Sequence, residues 1–212
     1  MIELILCIIA CTLLVIGFKI FHRLGISSFQ AIVINYGVAG LIGFLMEPGS
    51  SNLLLHINKP WFLNGCILGM VFILNFYIMA KSTQKIGASV TSVAGKMSLV
   101  LTVLFSIFYF KEVVNVPKIA GIIIALTSVF LIIQINSKQV DKKFIFLPII
   151  LFFGGGFIDT SLNYNQQVHL QNGGTGLFST ITFCSAFIIG FIVLVYRVLL
   201  KKEKLSFKNI VG

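Results

Sequence analysis

Lys96 and Asp159 are the residues of this chain most apt to do chemistry, because each is an ionisable group set inside a long apolar run. A charged side chain at the centre of a membrane helix costs about 2.5–3.5 kcal/mol on insertion scales, so such residues tend to face a water-filled cavity or a partner. Lys96 can attract an anionic or carboxylate-bearing metabolite. Its competing reading is structural, since it lies only roughly two turns from the start of its span and can extend its amine to the interface. Asp159 can bind a cation, relay a proton or pair with Lys96, or it can serve as a cap in a broken helix. Asn35, Tyr36, Asn75, Asn163 and Tyr164 complete the candidate substrate-binding set. They can hydrogen-bond a ligand, or bond neighbouring helices at about 0.6 kcal/mol each.

The sequence holds no constellation for catalysis. His22, His56 and His169 fall in three different loops, and there is no H-E-x-x-H, phosphate loop or G-x-S-x-G. Cys7, Cys11, Cys66 and Cys184 lie inside apolar runs, without zinc spacing or a secreted disulfide framework, and read as small buried hydrophobes. The expectation is a protein that is not an enzyme and needs neither cofactor nor metal.

The elements that must hold these residues are membrane helices. The chain has 212 residues, of which 58% are hydrophobic and 10% charged, against about 25% charged in a soluble domain. Three apolar runs, Trp61–Ala80, Ala88–Phe110 and Val116–Gln134, are separated by short charged punctuations at Lys81/Lys85 and at Lys111, Glu112 and Lys118. Each run is roughly 20 residues long, enough to cross a hydrocarbon core about 30 Å thick. Because lipid offers the backbone no hydrogen bonds, each run must satisfy its own amides as a helix.

Taken along the chain, the pattern predicts an all-α integral membrane protein with seven spans. The first covers about Ile2 to Phe21 and the second about Phe29 to Met46, where Gly37, Gly40 and Gly43 recur on a face that a neighbouring backbone can approach. Glu3 stands where a signal peptide would carry a basic residue, so the first run is expected to remain as a span. The third to fifth spans are the runs above, the third carrying Gly65-x-x-x-Gly69 and the fifth Gly121-x-x-x-Ala125. Asn136 to Lys143 reads as a linker. The sixth span begins near Phe144 and contains Gly154-Gly155-Gly156, followed by a polar second half. Glycine weakens a helix by roughly 1 kcal/mol relative to alanine. This span is therefore expected to kink or unwind, as at a translocated ligand, or else to be a bent helix end entering a polar loop. The seventh span runs from about Gly176 to Leu200, ahead of a basic tail.

The first two spans recur as the last two. Sliding Gly43-Phe44 onto Gly190-Phe191 places Ile42 on Ile189 and Ala39 on Ala186, and the turn Ser27-Ser28 on Gly174-Thr175. The two copies start an odd number of spans apart, so the second enters the membrane from the opposite side. This is the inverted-repeat arrangement of many secondary carriers. The same shift lays Gly65 on Gly212, and the expectation is a truncated product in which partners of the third to fifth spans are missing from the second copy.

Ile73-Leu74-Asn75-Phe76-Tyr77-Ile78-Met79-Ala80-Lys81-Ser82, then Gly87-Ala88-Ser89-Val90-Thr91-Ser92-Val93-Ala94-Gly95-Lys96-Met97-Ser98, an apolar span and Phe110-Lys111-Glu112, resemble EamA-type transporters of the drug/metabolite transporter superfamily. The signature matches at Ala80, Gly87-Ala88 and Glu112, whereas Lys96-Met97-Ser98 stands near where a proline is usual. The resemblance implies two inverted five-helix repeats, ten spans around a central substrate cavity. Residues 1–135 would then form the first repeat, 136–143 the linker, and 144–212 the two-helix start of an incomplete second repeat.

Counting connections alternately, one face carries no net charge and the other the entire +10. By the positive-inside rule the second face is cytoplasmic and the N-terminus lies outside, whereas the resembled family usually keeps both ends inside. Bilayer topology also accounts for the basic residues without a nucleic-acid partner. The function expected is secondary transport of a small metabolite or drug-like compound by a multi-pass protein of the plasma (inner) membrane. Its partners are a small-molecule substrate, the lipid bilayer and, as one option, a second copy in a homodimer. The alternative is a membrane-embedded structural or interaction subunit without transport activity.

Overall fold

A computed structural model describes residues 2–24, 27–47, 57–136, 144–171 and 173–201. Their regular structure is helical: α1 (Ile2–Leu24), α2 (Ser28–Met46), α3 (Pro60–Lys85), α4 (Ala88–Met97), α5 (Leu99–Tyr109), α6 (Val116–Asn136), α7 (Phe146–Val168) and α8 (Thr175–Lys201). Among the described residues, five helical segments are long and apolar enough to cross a membrane: Ser28–Met46, Pro60–Lys85, Ala88–Tyr109, Phe146–Val168 and Thr175–Leu199. Two shorter apolar stretches, Ile9–Phe21 and Val116–Ser128, lie in α1 and α6. The outer surface is apolar, with Phe108 80%, Leu45 75% and Leu199 73% exposed. Water would penalise such a surface and hydrocarbon accepts it. The linker 137–143 and the tail beyond Lys201 lie outside the described residues.

Two local features depart from what the sequence suggests. The run from Ala88 to Tyr109 is divided at Ser98 into α4 and α5, although neither proline nor a polar cluster marks the spot. Ser98 Oγ donates to the Gly95 carbonyl oxygen at 2.6 Å, and the Leu101 amide donates to the Ser98 carbonyl at 2.9 Å. Such back-bonding to the preceding turn, with a tightened i to i+3 bond, interrupts the regular α-helical pattern at this residue. Conversely, Gly154–Gly156 do not unwind, because α7 is continuous from Phe146 to Val168. Their lack of side chains serves close packing instead. A Cβ at Gly155 would stand 2.8 Å from Ser98 Oγ, and one at Gly156 would overlap the Leu101 side chain.

The chain divides into two compact units. The first comprises Met1–Ser28 and Ile78–Thr160, hence α1, the end of α3, α4 to α6 and most of α7. Its α3–α4 corner is set by Gly87, whose φ of 115° is open to glycine and strained for other residues. Ser82 and Thr91, both buried, bridge that corner through hydroxyls 2.8 Å apart, and Thr91 Oγ1 also donates to the Gly87 carbonyl at 2.9 Å.

The second unit comprises Phe29–Tyr77 and Ser161–Gly212. Here α2 and α8 run antiparallel along a glycine seam, with Gly37 on Phe187, Gly40 on Cys184 and Gly43 on Thr180, while Gly190 meets Val33 and Ile73. The other glycine pair, on α3, also faces α8. A Cβ at Gly69 would lie 2.6 Å from the Thr182 carbonyl oxygen and 2.8 Å from the Ala186 nitrogen, so the two backbones touch. Ser185 Oγ donates to the Cys66 carbonyl at 2.9 Å across this contact. In lipid, close van der Waals packing of this kind supplies what the hydrophobic effect supplies in water.

Candidate functional site

Within the first unit, α4, α5 and α7 bring polar groups together inside apolar helices. Ser98, fully buried, reaches Asp159 Oδ2 at 3.3 Å. One turn further along, Thr102 and Thr160 join hydroxyls at 3.2 Å. Lys96, on the exposed side of the same joint, directs its ammonium to Cys11 Sγ of α1 at 3.7 Å. The Lys96 charge acts on the Asp159 carboxylate through space without closing into an ion pair. The ion pair found among the described residues joins Lys118 and Glu112 at the start of α6.

This arrangement follows from helix periodicity and from the absence of side chains on α7. Ser98 and Thr102 are four residues apart on one side of the α4–α5 span, and Gly155 and Asp159 are four apart on α7. Because Gly155 and Gly156 present bare backbone, the Ser98 turn can settle against α7 with the Asp159 carboxyl beside it. The cluster can therefore offer a ligand a cation, a carboxyl group and three hydroxyls.

The other candidate residues fall in the second unit. Tyr36 is 2% exposed, with Phe72, Phe76 and Phe183 around its ring at centroid distances of 6.4, 5.7 and 6.0 Å. Its hydroxyl, like the buried Oδ1 of Asn75, has no hydrogen-bond partner among the described residues. Asn35, one residue before Tyr36, is exposed on α2. Asn163 accepts a bond from Gln167 at 3.1 Å, and the Tyr164 ring lies edge-on to His169 at 5.8 Å. The deeply buried amide of this unit is instead Asn165, which accepts from Asn64 at 3.3 Å and donates to the Ser161 carbonyl at 2.8 Å. No group of histidine, cysteine or acidic side chains capable of holding a metal ion occurs among the described residues.

The sequence singled out Lys96 and Asp159 but not the hydroxyl residues near them. Ser98, Thr102 and Thr160 are small hydroxyl residues, common in membrane helices, so no composition signal distinguishes them. Cys11, Cys66 and Cys184 are free thiols and only partly buried, which corrects the reading of these three as simple core hydrophobes. Cys11 in addition supplies the sulfur that Lys96 approaches. Its position gave one usable signal: it is set roughly midway along α1, where a lysine reaching from a neighbouring span would find it.

Residues 1–134, which include the Ser82–Thr91 corner and Glu112, match the EamA-like transporter family. The chain belongs to the EamA-like transporter family. It is a multi-pass, all-helical membrane protein of the drug/metabolite transporter type. This EamA-like chain is also 28% identical, over 218 residues, to an uncharacterized protein of Haemophilus influenzae, the match covering 98% of the chain and 70% of the relative. No solved structure matches it. The family is one of transporters, and the EamA-like match encloses Lys96, Ser98 and Cys11, whereas Asp159 lies beyond it.

Proposed function

We propose that this EamA-like protein is a secondary transporter that moves a small polar or amphipathic metabolite across the plasma membrane, with the Lys96–Ser98–Asp159 cluster in contact with the substrate. The observation that carries this reading is that Lys96, directed to Cys11, and Asp159, held by Ser98, stand on apolar helices of one unit and, among the described residues, form no ion pair with each other. Charges kept for structure alone gain most by closing on each other, because an uncompensated charge in a low-dielectric setting is costly. Open charges beside three hydroxyls suit a ligand that completes the set.

Seven spans and an inverted repeat are part of the proposal, and the α2–α8 seam supports them. Sliding Gly43 onto Gly190 carries the Gly37·Phe187 contact onto Cys184·Gly40, which is itself a contact. It likewise carries Gly43·Thr180 onto Gly190·Val33, again a contact. A contact set that maps onto itself in this way is what a local two-fold axis produces. Between antiparallel helices such an axis runs across them, hence in the plane of the membrane, and it exchanges the two faces of the bilayer. Alternating access needs that exchange.

The test is uptake and efflux in vesicles, screened over amino acids, nucleosides, sugars and cationic drugs with and without a proton gradient. At least one compound should move, and Lys96→Ala and Asp159→Ala should each abolish most of that flux at unchanged protein amount. If nothing moves under any gradient and both variants alter only complex formation, a membrane-embedded assembly subunit replaces the transporter.

A further inference from the structure

Arg197, near the end of the α8 span, is held by aromatic rings and not by an acid. Its guanidinium carbon lies 4.5 Å from the ring centroid of Phe29 and 5.3 Å from that of Tyr77, and those two rings meet edge to face at 5.5 Å. All three residues belong to the second unit. Ring faces attract a cation, but they offer no oxygen to the five N–H donors of a guanidinium. Among the described residues no carboxylate pairs with Arg197, and the first turn of α2, which supplies Phe29, contains no acidic residue. The two rings thus fix a half-buried cation in place while its hydrogen-bonding capacity stays available to an anion.

We propose that Arg197, on its shelf of Phe29 and Tyr77, is a binding site for the phosphate of an anionic phospholipid headgroup. The planar guanidinium matches two phosphate oxygens at once, where a lysine ammonium acts only as a point charge. Because the rings already hold the side chain, binding immobilises less of it than binding to a freely moving arginine would.

Position favours a lipid over a free phosphate. Arg197 lies two residues before the end of the Thr175–Leu199 span, at the depth where hydrocarbon gives way to headgroups. Val193, one turn deeper along α8, and Tyr196, beside Arg197, are both exposed. Acyl chains can lie along that wall while the headgroup meets the guanidinium, whereas a free phosphate gains nothing from it. By the charge count this end of α8 stands on the face that carries the whole +10. On the positive-inside assignment that face is cytoplasmic, the leaflet whose anionic lipids attract basic residues.

The experiment is site-resolved lipid quenching of the full chain in proteoliposomes. Trp61, the single tryptophan, is replaced by phenylalanine, and a reporter is introduced as Tyr196→Trp beside the site or as Phe108→Trp on the exposed surface of α5. Quenching by brominated phosphatidylglycerol against brominated phosphatidylcholine gives the relative affinity at each place. Phosphatidylglycerol should be preferred about fivefold or more at position 196, and much less at position 108. Arg197→Gln should abolish the preference at position 196, and Arg197→Lys should keep only part of it. Tyr77→Leu, which retains the charge but removes half of the shelf, should lower it too. Equal preference at the two reporter positions, or a preference undiminished in Arg197→Gln or Tyr77→Leu, overturns the proposal. Glycerol phosphate at millimolar concentration should leave the preference unchanged, and its loss would assign the guanidinium to a free phosphate instead. Native mass spectrometry without reporter substitutions gives a second reading. The native protein should retain more phosphatidylglycerol than Arg197→Gln does, and equal retention overturns the proposal even where a reporter variant fails to fold.

Discussion

Gly69 of α3 lies so close to Thr182 of α8 that any side chain at position 69 would strike the α8 backbone. A backbone obstacle has no rotamer by which to yield, so the two helices must separate. Gly69→Val should destabilise the fold by about 1–3 kcal/mol or more, in the range of overpacked cores. Gly121→Ala, where the new methyl group meets nothing within 4 Å, should be neutral or slightly stabilising. Reversible unfolding in mixed micelles measures both, and equal stability of the Gly69→Val and native proteins would disprove the α3–α8 contact.

The α3–α4 corner makes a second expectation. Gly87→Ala forces a side chain into a positive-φ conformation that costs on the order of 1–3 kcal/mol. Ser82→Ala removes one partner of a buried hydroxyl pair and should cost about 0.5–1.5 kcal/mol. A double-mutant cycle on Ser82 and Thr91 should return a coupling energy of that order, and a coupling of zero would remove the bridge seen at 2.8 Å.

Lys96 and Lys118 should behave differently although both are cations near helix ends. Lys118 pairs with Glu112, and both side chains are substantially exposed at 29% and 40%; pairs of this kind contribute about 0–1 kcal/mol. Lys118→Ala should therefore leave stability and flux nearly unchanged. Lys96→Ala should lower initial transport rates by about tenfold or more, the equivalent of about 1.4 kcal/mol of transition-state interaction. Parallel loss in both variants would point to net charge rather than to a site.

Topology gives the last expectation. Single cysteines at Asn58, Asn115 and Gly173 in a background lacking the native thiols should label from one side and a single cysteine at Lys85 from the other, with Lys85 on the cytoplasmic face if the positive charge sets orientation. Labelling of neighbouring loops from the same side would remove a span from the proposed seven.

Much of the fold was legible because lipid makes secondary structure a local matter. A run such as Val116–Gln134 has to be helical wherever it sits, since its amides find no other partner. Lys96 and Asp159 also stood out in the sequence, as isolated charges in apolar runs. The joint at Ser98 was not. Serine is frequent in such helices, and the break at Ser98 coincides with a hydroxyl bonding back onto Gly95 and with α7 set close beside it.

By itself the sequence determined that the chain enters a membrane as helices, which runs form them, and which family they belong to. Hydropathy and charge act residue by residue and need no knowledge of neighbours. Only the tertiary structure decided that Gly154–Gly156 stay helical while the span facing them is divided at Ser98, that Ser98 reaches Asp159, and that α2 and α8 meet glycine by glycine. The physical reason is that lipid tails are as apolar as leucine, so helix partners in a bilayer are chosen by shape and by a few hydrogen bonds. Those terms depend on which surfaces finally face each other, which no local pattern records.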